Sequence, residues 1–459
     1  MAATVRGILE ELGKKNAPVL PLFQKYHSEA YAHLWRRDPR LHQAFAKRLT
    51  GAGHPVRAFQ LVQDGLKQHE DDLDLRYRGA LALARGRSFA RAEEFLGPLL
   101  KSRKLSLHLR IEAICLAGRL HKDRYALATN DEERSRHARK SAAPYERAHA
   151  LGKASFPTIN AATMNLLGGK ERRARGFAQQ AIERATVELQ AGGDHWILAT
   201  LGEAHLILGR ADEALRYYRA AVKLSRGEFG DLRSMRDQLR LLKRRIPVSE
   251  QIESLFQIGT VLVFSGHMID HPSRPTPRFP ASLALEKAVA AEIGARLVNQ
   301  NIADAYCSLA CGSDILFAEE ALRRRIRLHV VLPFDPEDFL RTSVTYGLES
   351  MAKWGTRFKR ALSRATEVYQ ATQEQYLGDD MLFGFVNSVT QGLALMRASE
   401  LGVGVRALVL HDPASPRVFG GTRYFLDKWR ALERPAEEWL PKRRRFVASE
   451  SSCRCCSPT

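Results

Sequence analysis

Residues 196–224, WILATLGEAHLILGRADEALRYYRAAVKL, decide the architecture of the first half of the chain. Apolar and small residues recur there with helical spacing on both sides of Gly209, which predicts two antiparallel helices joined by a tight turn. The helices must approach closely, so Gly202 and Ala214 leave room while Leu201, His205 and Tyr218 fill what remains. Gly209 stands where the backbone turns, a place that favours a residue without Cβ. Residues 77–100, YRGALALARGRSFARAEEFLGPLL, repeat the pattern with Ala80, Leu83, Ala92 and Leu96. Less regular helical stretches lie between the two, broken by the polar run Asn130–Arg136. Units of this kind bury their faces only by stacking, so residues 1–248 are expected to form an α-helical solenoid.

The spacing of Leu198, Leu201, Gly202, His205, Gly209, Ala214, Tyr218 and Ala221 matches a 34-residue tetratricopeptide unit. Three segments, GRLHKDRY (118–125), FPTINAATMNLLGG (156–169) and DHWILATLGEAHLILG (194–209), carry a further likeness. Across about residues 100–245 the chain resembles the tetratricopeptide-type TRAFs-binding domain of MAP kinase kinase kinases, which bacterial proteins also carry beside signalling modules. The resemblance implies a regulatory array that contacts other protein segments. No docking residues for a TRAF partner can be matched, and interior helix packing accounts for GRLHKDRY and the Asn160 stretch.

After Pro247 the pattern changes. GTVLVFSGHMID contains the apolar run Val261–Phe264, closed by Ser265 and Gly266, as a buried parallel strand would be. Similar runs occur at 305–309, 328–332 and 405–410, with helical stretches expected at 283–298, 315–325, 353–375 and 381–400. This alternation predicts a Rossmann-like α/β domain over residues 255–441, with a mainly parallel sheet. Ligands of such sheets bind beyond the carboxyl ends of the strands, so the loops there hold the candidate site. The first loop, SGHMIDHPSRPTPRFP, offers Ser265, Gly266, His267 and Arg278, with two arginines suited to an anion. The second, ACGSDILFAEEAL, places Gly312 and Ser313 at a helix start with Asp314 behind and Glu319 further in. The free amides of a helix start favour phosphate, and Asp314 or Glu319 suits sugar hydroxyls. The fourth loop brings Gly420, Gly421 and Thr422 before another helix. Each feature has a plainer reading: Ser313 and Asp314 as helix caps, His267 as a structural loop histidine, the glycines as turns. No phosphate-binding glycine fingerprint is present.

VLVFSGHMI followed by ACGSDILFAEEALRRRIRLHVVLPF resembles the Smf/DprA–Lonely-guy (SLOG) Rossmannoid superfamily. Its signature positions fall here on Gly266, Gly312, Glu319 and Pro333. The resemblance implies a site for nucleotides or nucleotide-derived ligands, sometimes with N-glycosidic cleavage. The double-glycine signature of Lonely-guy phosphoribohydrolases is replaced by Cys311-Gly312-Ser313-Asp314, which argues for binding over catalysis. The closing segment, 405–429, resembles the end of bacterial proteins with the same array-plus-Rossmannoid layout.

The chain of 459 residues carries a formal net charge of +20. Residues 1–254 hold a net +16, residues 255–400 a net −1 and residues 401–459 a net +5. A helical array places such charge on solvated helix faces, and no contiguous basic patch directs it to nucleic acid. Six cysteines are too few for a disulfide scaffold, and no apolar run is long enough for a membrane helix. Glu10 and Glu11 stand where a signal peptide would be apolar, so a cytoplasmic, non-membrane protein is expected. No motif calls for a metal or a resident cofactor. Residues 442–459, with Cys453, Cys455 and Cys456, read as a disordered basic and cysteine-containing tail. The sequence therefore describes a signalling or regulatory protein: a nucleotide-sensing α/β domain joined to an array that binds a protein partner. Two alternatives stand beside it, a nucleotide N-glycosidase using Glu319 and a non-catalytic interaction scaffold.

Overall fold

The computed structural model describes residues 4–440 and 447–449, apart from 15–16, 226–227, 276–277, 299, 374, 377, 379 and 414–416. The chain divides between Gln257 and Ile258 into two compact units.

In the first unit, α1 (Val5–Gly13), α2 (Val19–Tyr26) and α3 (Ala32–Arg37) lead into five helical hairpins. The first two pair α4 (Pro39–Gly51) with α5 (Pro55–Gln68), and α6 (Leu73–Arg85) with α7 (Phe89–Lys101). The next two pair α8 (Leu107–Leu127) with α9 (Asp131–Leu151), and α10 (Ser155–Leu167) with α11 (Glu171–Gln190). The fifth joins α12 (His195–Ile207) to α13 (Ala211–Ser225), and α14 (Phe229–Leu242) and α15 (Glu250–Ser254) follow.

The hairpins share two devices. A Cβ on Gly202 would lie 2.9 Å from the Tyr218 ring, and one on Gly118 would lie 2.9 Å from the Tyr145 ring. A missing side chain on the first helix thus admits an aromatic ring from the second. At the hairpin turns, Gly53, Gly169 and Gly209 have φ of 83°, 76° and 83°, and Arg87 takes the same place with φ 63°. There the Gly209 amide donates to Leu206 O (3.1 Å) and the Arg210 amide to His205 O (2.9 Å), closing the helix end. Arg87 and Ser88 repeat those bonds to Ala84 O (3.0 Å) and Leu83 O (2.9 Å).

The second unit runs β1 (Thr260–Gly266), α16 (Leu283–Leu297), β2 (Ile302–Cys307), α17 (Ser313–Arg323) and β3 (Arg327–Leu332). It continues through α18 (Pro336–Phe339), α19 (Ala352–Arg364), β4 (Glu367–Gln370) and α20 (Met381–Leu401). The last elements are β5 (Val405–Leu410), α21 (Thr422–Arg430), β6 (Ala436–Leu440) and β7 (Val447–Ser449). The strand order is β4-β3-β2-β1-β5-β6-β7, parallel throughout except that β7 runs antiparallel to β6. Alternate residues of β1 face opposite layers, as the pleat requires. Leu262 and Phe264 join the core under α16, α17 and α19, while Val261 and Val263 join the core under α20 and α21. Helices therefore cover both faces of a Rossmann-like sheet.

Two expectations need correction. The helix read over 353–375 ends at Arg364, and Glu367–Gln370 is an edge strand. The buried stripe of Trp354, Phe358 and Ala361 stops there, and Glu367 instead faces the buried His329 (3.2 Å). β7 falls within the 442–459 segment read as disordered; the β6 edge offers it backbone hydrogen bonds that composition does not register. Lys442–Arg445 and the three tail cysteines lie outside the described residues.

Candidate functional site

β1 is flanked by β2 on one side and β5 on the other, so successive connections leave it in opposite directions. A crevice opens at such a switch point, beyond the carboxyl ends of the strands. Here it is a cavity of about 640 Å³. Its walls are the loop after β1, the start of α17 with segment 339–346, and α20 with the loop after β5.

The loop after β1 is held by Asp270. Its Oδ2 accepts the amides of Arg278 (2.6 Å) and Phe279 (2.7 Å), while Oδ1 faces Arg274 Nε (3.4 Å) and Arg278 Nε (3.5 Å). Two guanidiniums thus share one carboxylate at the cavity wall, and both line it. Burial and the neighbouring Arg274 push the Arg278 guanidinium below its usual range. An anion placed between them would relieve that repulsion.

The loops after β1 and β2 are stitched together. Ser313 donates to His267 O through its amide (3.2 Å) and its hydroxyl (2.6 Å), and the Ile269 amide donates to Cys311 O (3.0 Å). Gly312 has φ 98°, and a Cβ there would sit 2.6 Å from the Ile269 nitrogen. A Cβ on Gly266 would sit 2.2 Å from Ser313 Oγ. Tyr346 pins the same loop by donating to Ile269 O (2.6 Å). The first amide of α17, expected to meet a phosphate, is therefore taken by His267 O. Gly312 and Ser313 position the wall and do not line the cavity.

His267 and Asp314, at the same cavity, also have displaced pKa values. His267 Nε2 accepts the Asp412 amide (2.7 Å), which leaves the ring proton on Nδ1. Burial, then the positive charge of Arg278, pushes His267 down to about 3, so it is a neutral tie between the β1 and β5 loops. Asp314 is buried and its Oδ1 has no hydrogen-bond partner among the described residues. Burial pushes its carboxyl up to about 7, against the opposing pull of the Ala310 and Gly266 amides.

Of the residues singled out in the sequence, Ser265, Gly266, His267, Arg278, Asp314, Gly420, Gly421 and Thr422 line the cavity. Glu319 does not: Arg357 (2.6 and 3.0 Å) and Arg360 (2.6 Å) hold its carboxylate where α17 meets α19. Sequence reasoning passed over the α20 wall. Asn387 Nδ2 donates to Gly420 O (2.8 Å), and Phe383 lies where a Cβ on Gly420 would clash at 2.6 Å. The signal was Asn387 and Thr390, among the polar residues that interrupt the apolar pattern of that helix. Tyr346, Tyr376, Phe383 and Phe419 add aromatic surface, and Ser308, Thr342 and Ser343 add hydroxyls.

A family model, Tetratricopeptide Repeats-Sensor, matches residues 55–165. Among solved structures, one similar chain is TTC0263, a thermophilic TPR protein in Thermus thermophilus. It is 17% identical, with coverage of 45% of this chain and 98% of that one and a TM-score of 0.35. Another is the human IFIT1 dimer with PPP-AAAA, also 17% identical at a TM-score of 0.35, covering 52% of this chain and 55% of that one. No curated protein matches the chain. Among the described residues, no helix is long and apolar enough to cross a membrane. Residues 55–165 thus carry tetratricopeptide-type repeats within the helical unit, and an α/β unit follows that unit in the chain.

Proposed function

We propose that the α/β unit senses a nucleotide-like ligand and that the tetratricopeptide array, which supports a protein-interaction role, carries the response to a partner in a cytoplasmic signalling protein. The observation that carries this reading is the chemistry of the cavity. Arg274 and Arg278 share Asp270 on one wall, which suits a phosphate or another oxyanion. Asp314 lines the cavity and suits a donor such as a ribose hydroxyl or a base N–H, and the aromatic wall suits a ring. About 640 Å³ is the usual size of a small-molecule site. The SLOG-like and TRAFs-binding-like sequence features agree with a bacterial sensor of this layout. The glycosidase alternative has no residue in its expected role, because Glu319 is held away from the cavity by two arginines.

Sensing requires that ligand favour one arrangement of the protein over another. A thermal-shift screen of the full chain against nucleotides, nucleotide sugars and NAD derivatives tests the reading. A ligand at 100 times its Kd adds about 2.7 kcal/mol to the unit that binds it. Arg278→Glu is expected to weaken such a ligand at least tenfold while the unit stays folded. Unchanged binding in that variant would remove the cavity from consideration.

A further inference from the structure

α20 carries two charges in its 21 residues, Arg397 and Glu400, and Arg397 is buried against Asp304 Oδ2 (2.9 Å). Its inner side lines the cavity with Phe383, Val386, Asn387 and Thr390. On the opposite side, at spacings of three and four, stand Met381, Phe385, Ser388, Gly392, Met396 and Ser399. A surface helix ordinarily turns charged residues outward. This one does not. Met381 is 63% exposed, Phe385 48% and Met396 47%, and a Cβ placed on Gly392 would meet nothing within 4 Å.

The loop after β5 widens the patch. Phe419 packs against Gly384 in the space a Cβ there would take, yet it stays 43% exposed, beside Val418 at 46%. Among the described residues the α/β unit exposes nine large apolar side chains, and these five lie together. At about 200 Å² for a fully exposed side chain of this size, the five offer roughly 500 Å². A monomer seldom leaves that much contiguous apolar surface unused.

We propose that this face docks a second copy of the chain, with α20 packed antiparallel on α20 about a two-fold axis at the level of Thr390. Three features select a copy over a different partner. The first is charge along the contact. Around a two-fold axis each group lies near its own symmetry mate, so a charge there meets a like charge, and the stripe carries none. The second is net charge. Residues 1–254 hold +16 but residues 255–400 only −1, so two copies repel least when they meet through this part. The third is shape. In the antiparallel register Ser388 comes level with Gly392 of the second copy, and two small residues at the centre let the helix axes approach. Towards the ends Met381 comes level with Ser399 of the second copy and Phe385 with Leu395, so large groups meet small or apolar ones. Two such faces bury roughly 1,000 Å² from the five large side chains alone, where specific interfaces begin. The inference is independent of any ligand in the cavity and of the array's partner.

Sedimentation of the full chain reads the mass, and a dimer is expected at micromolar concentrations. Gly392→Arg sets a charge in open space at a helix position where arginine is the better helix former. The fold should therefore hold while the dimer Kd rises at least tenfold. Ser388→Asp should weaken the dimer equally from the other side of the axis. An equimolar mixture of the two variants should dimerise to within tenfold of the wild type, because the new carboxylate of one comes level with the new guanidinium of the other. A wild-type chain that stays monomeric at tens of micromolar overturns the proposal and leaves the face to a different molecule. A dimer that a folded Gly392→Arg chain keeps unchanged places the contact elsewhere, and a monomeric mixture refutes the antiparallel register. Should a central variant lose its helical circular dichroism, Met396→Glu at the far end of the stripe makes the same test of the face. The nucleotide screen is untouched by each of these results.

Discussion

Replacing Asp314 by Asn should make the α/β unit more stable, and the gain should grow with pH. The carboxyl is buried beside the cavity, its Oδ1 lacks a partner, and its pKa stands at about 7 against an ordinary 3.8. Three units at about 1.4 kcal/mol each give about 4 kcal/mol against the ionised form. For a raised carboxyl, the favourable neutral state is fully present below 3.8 and is lost as pH rises through 7. Between pH 5 and pH 8 that loss comes to roughly 2–3 kcal/mol, and an Asn, neutral throughout, avoids it. His267 has the opposite sign. Held at about 3, it contributes stability that is present above 6.5 and lost as pH falls toward 3, about 2 kcal/mol less at pH 5 than at pH 8. In the wild type the two slopes nearly cancel; Asp314→Asn should expose the histidine slope. A chain of two units need not unfold in one step, so the assay should read this unit alone. Exchange of the β1 amides of Val261–Phe264 at pH 5, 6.5 and 8, corrected for intrinsic rates, does so. A difference between variant and wild type that stays constant across those pH values would refute the buried, neutral carboxyl.

Other expectations are simpler to check. Gly312→Ala forces a side chain into φ 98° and against the Ile269 nitrogen at 2.6 Å, so the α/β unit should lose at least about 2 kcal/mol, seen as a fall in its Tm. Arg87→Gly should stabilise the array by about 0.5–1 kcal/mol, because Arg87 holds a left-handed φ of 63° at a turn where three other hairpins use glycine. A neutral or lowered helical melting temperature in that variant would show that the Arg87 side chain contributes more than its backbone strain costs. Glu319→Gln should leave ligand affinity within twofold, since Glu319 pairs with Arg357 and Arg360 away from the cavity. A large loss of affinity would return that residue to the site.

The parts of the fold that sequence conveys are those whose cause is local. Gly202 and Tyr218, or Val261–Phe264 ending at Gly266, state their packing in neighbouring positions, and both the hairpin and the strand follow. β4 and β6 are illegible for the converse reason. Glu367–Gln370 and Ala436–Leu440 carry three charges between them at Glu367, Glu437 and Glu438, and such outlying strands gain their pairing from neighbours distant in the chain. The hairpin of residues 77–100 is legible from its apolar spacing even though Arg87, not glycine, holds the left-handed turn position there.

The candidate site divides along the same line. Loops that follow strands are marked in sequence, and eight of the eleven residues singled out there reach the cavity. Gly312, Ser313 and Glu319 do not, although their types and positions suit a ligand as well as any of the eight. What separates them is competition. The His267 carbonyl takes the Ser313 amide and hydroxyl, and two arginines of α19 take Glu319. Asp314 is the member of that helix start that lines the cavity. A helix start offers its amides to whichever acceptor is nearest, and in this molecule that acceptor is the protein's own loop. In the proposed reading, anion recognition then falls to Arg274 and Arg278 of the loop after β1. If the cavity takes the nucleotide-like ligand proposed above, its phosphate would lie at the arginines and its hydroxyl or base would lie toward Asp314. Inorganic phosphate or pyrophosphate alone should therefore bind through the arginines and leave the pH dependence of Asp314 in place, whereas a whole nucleotide should abolish it.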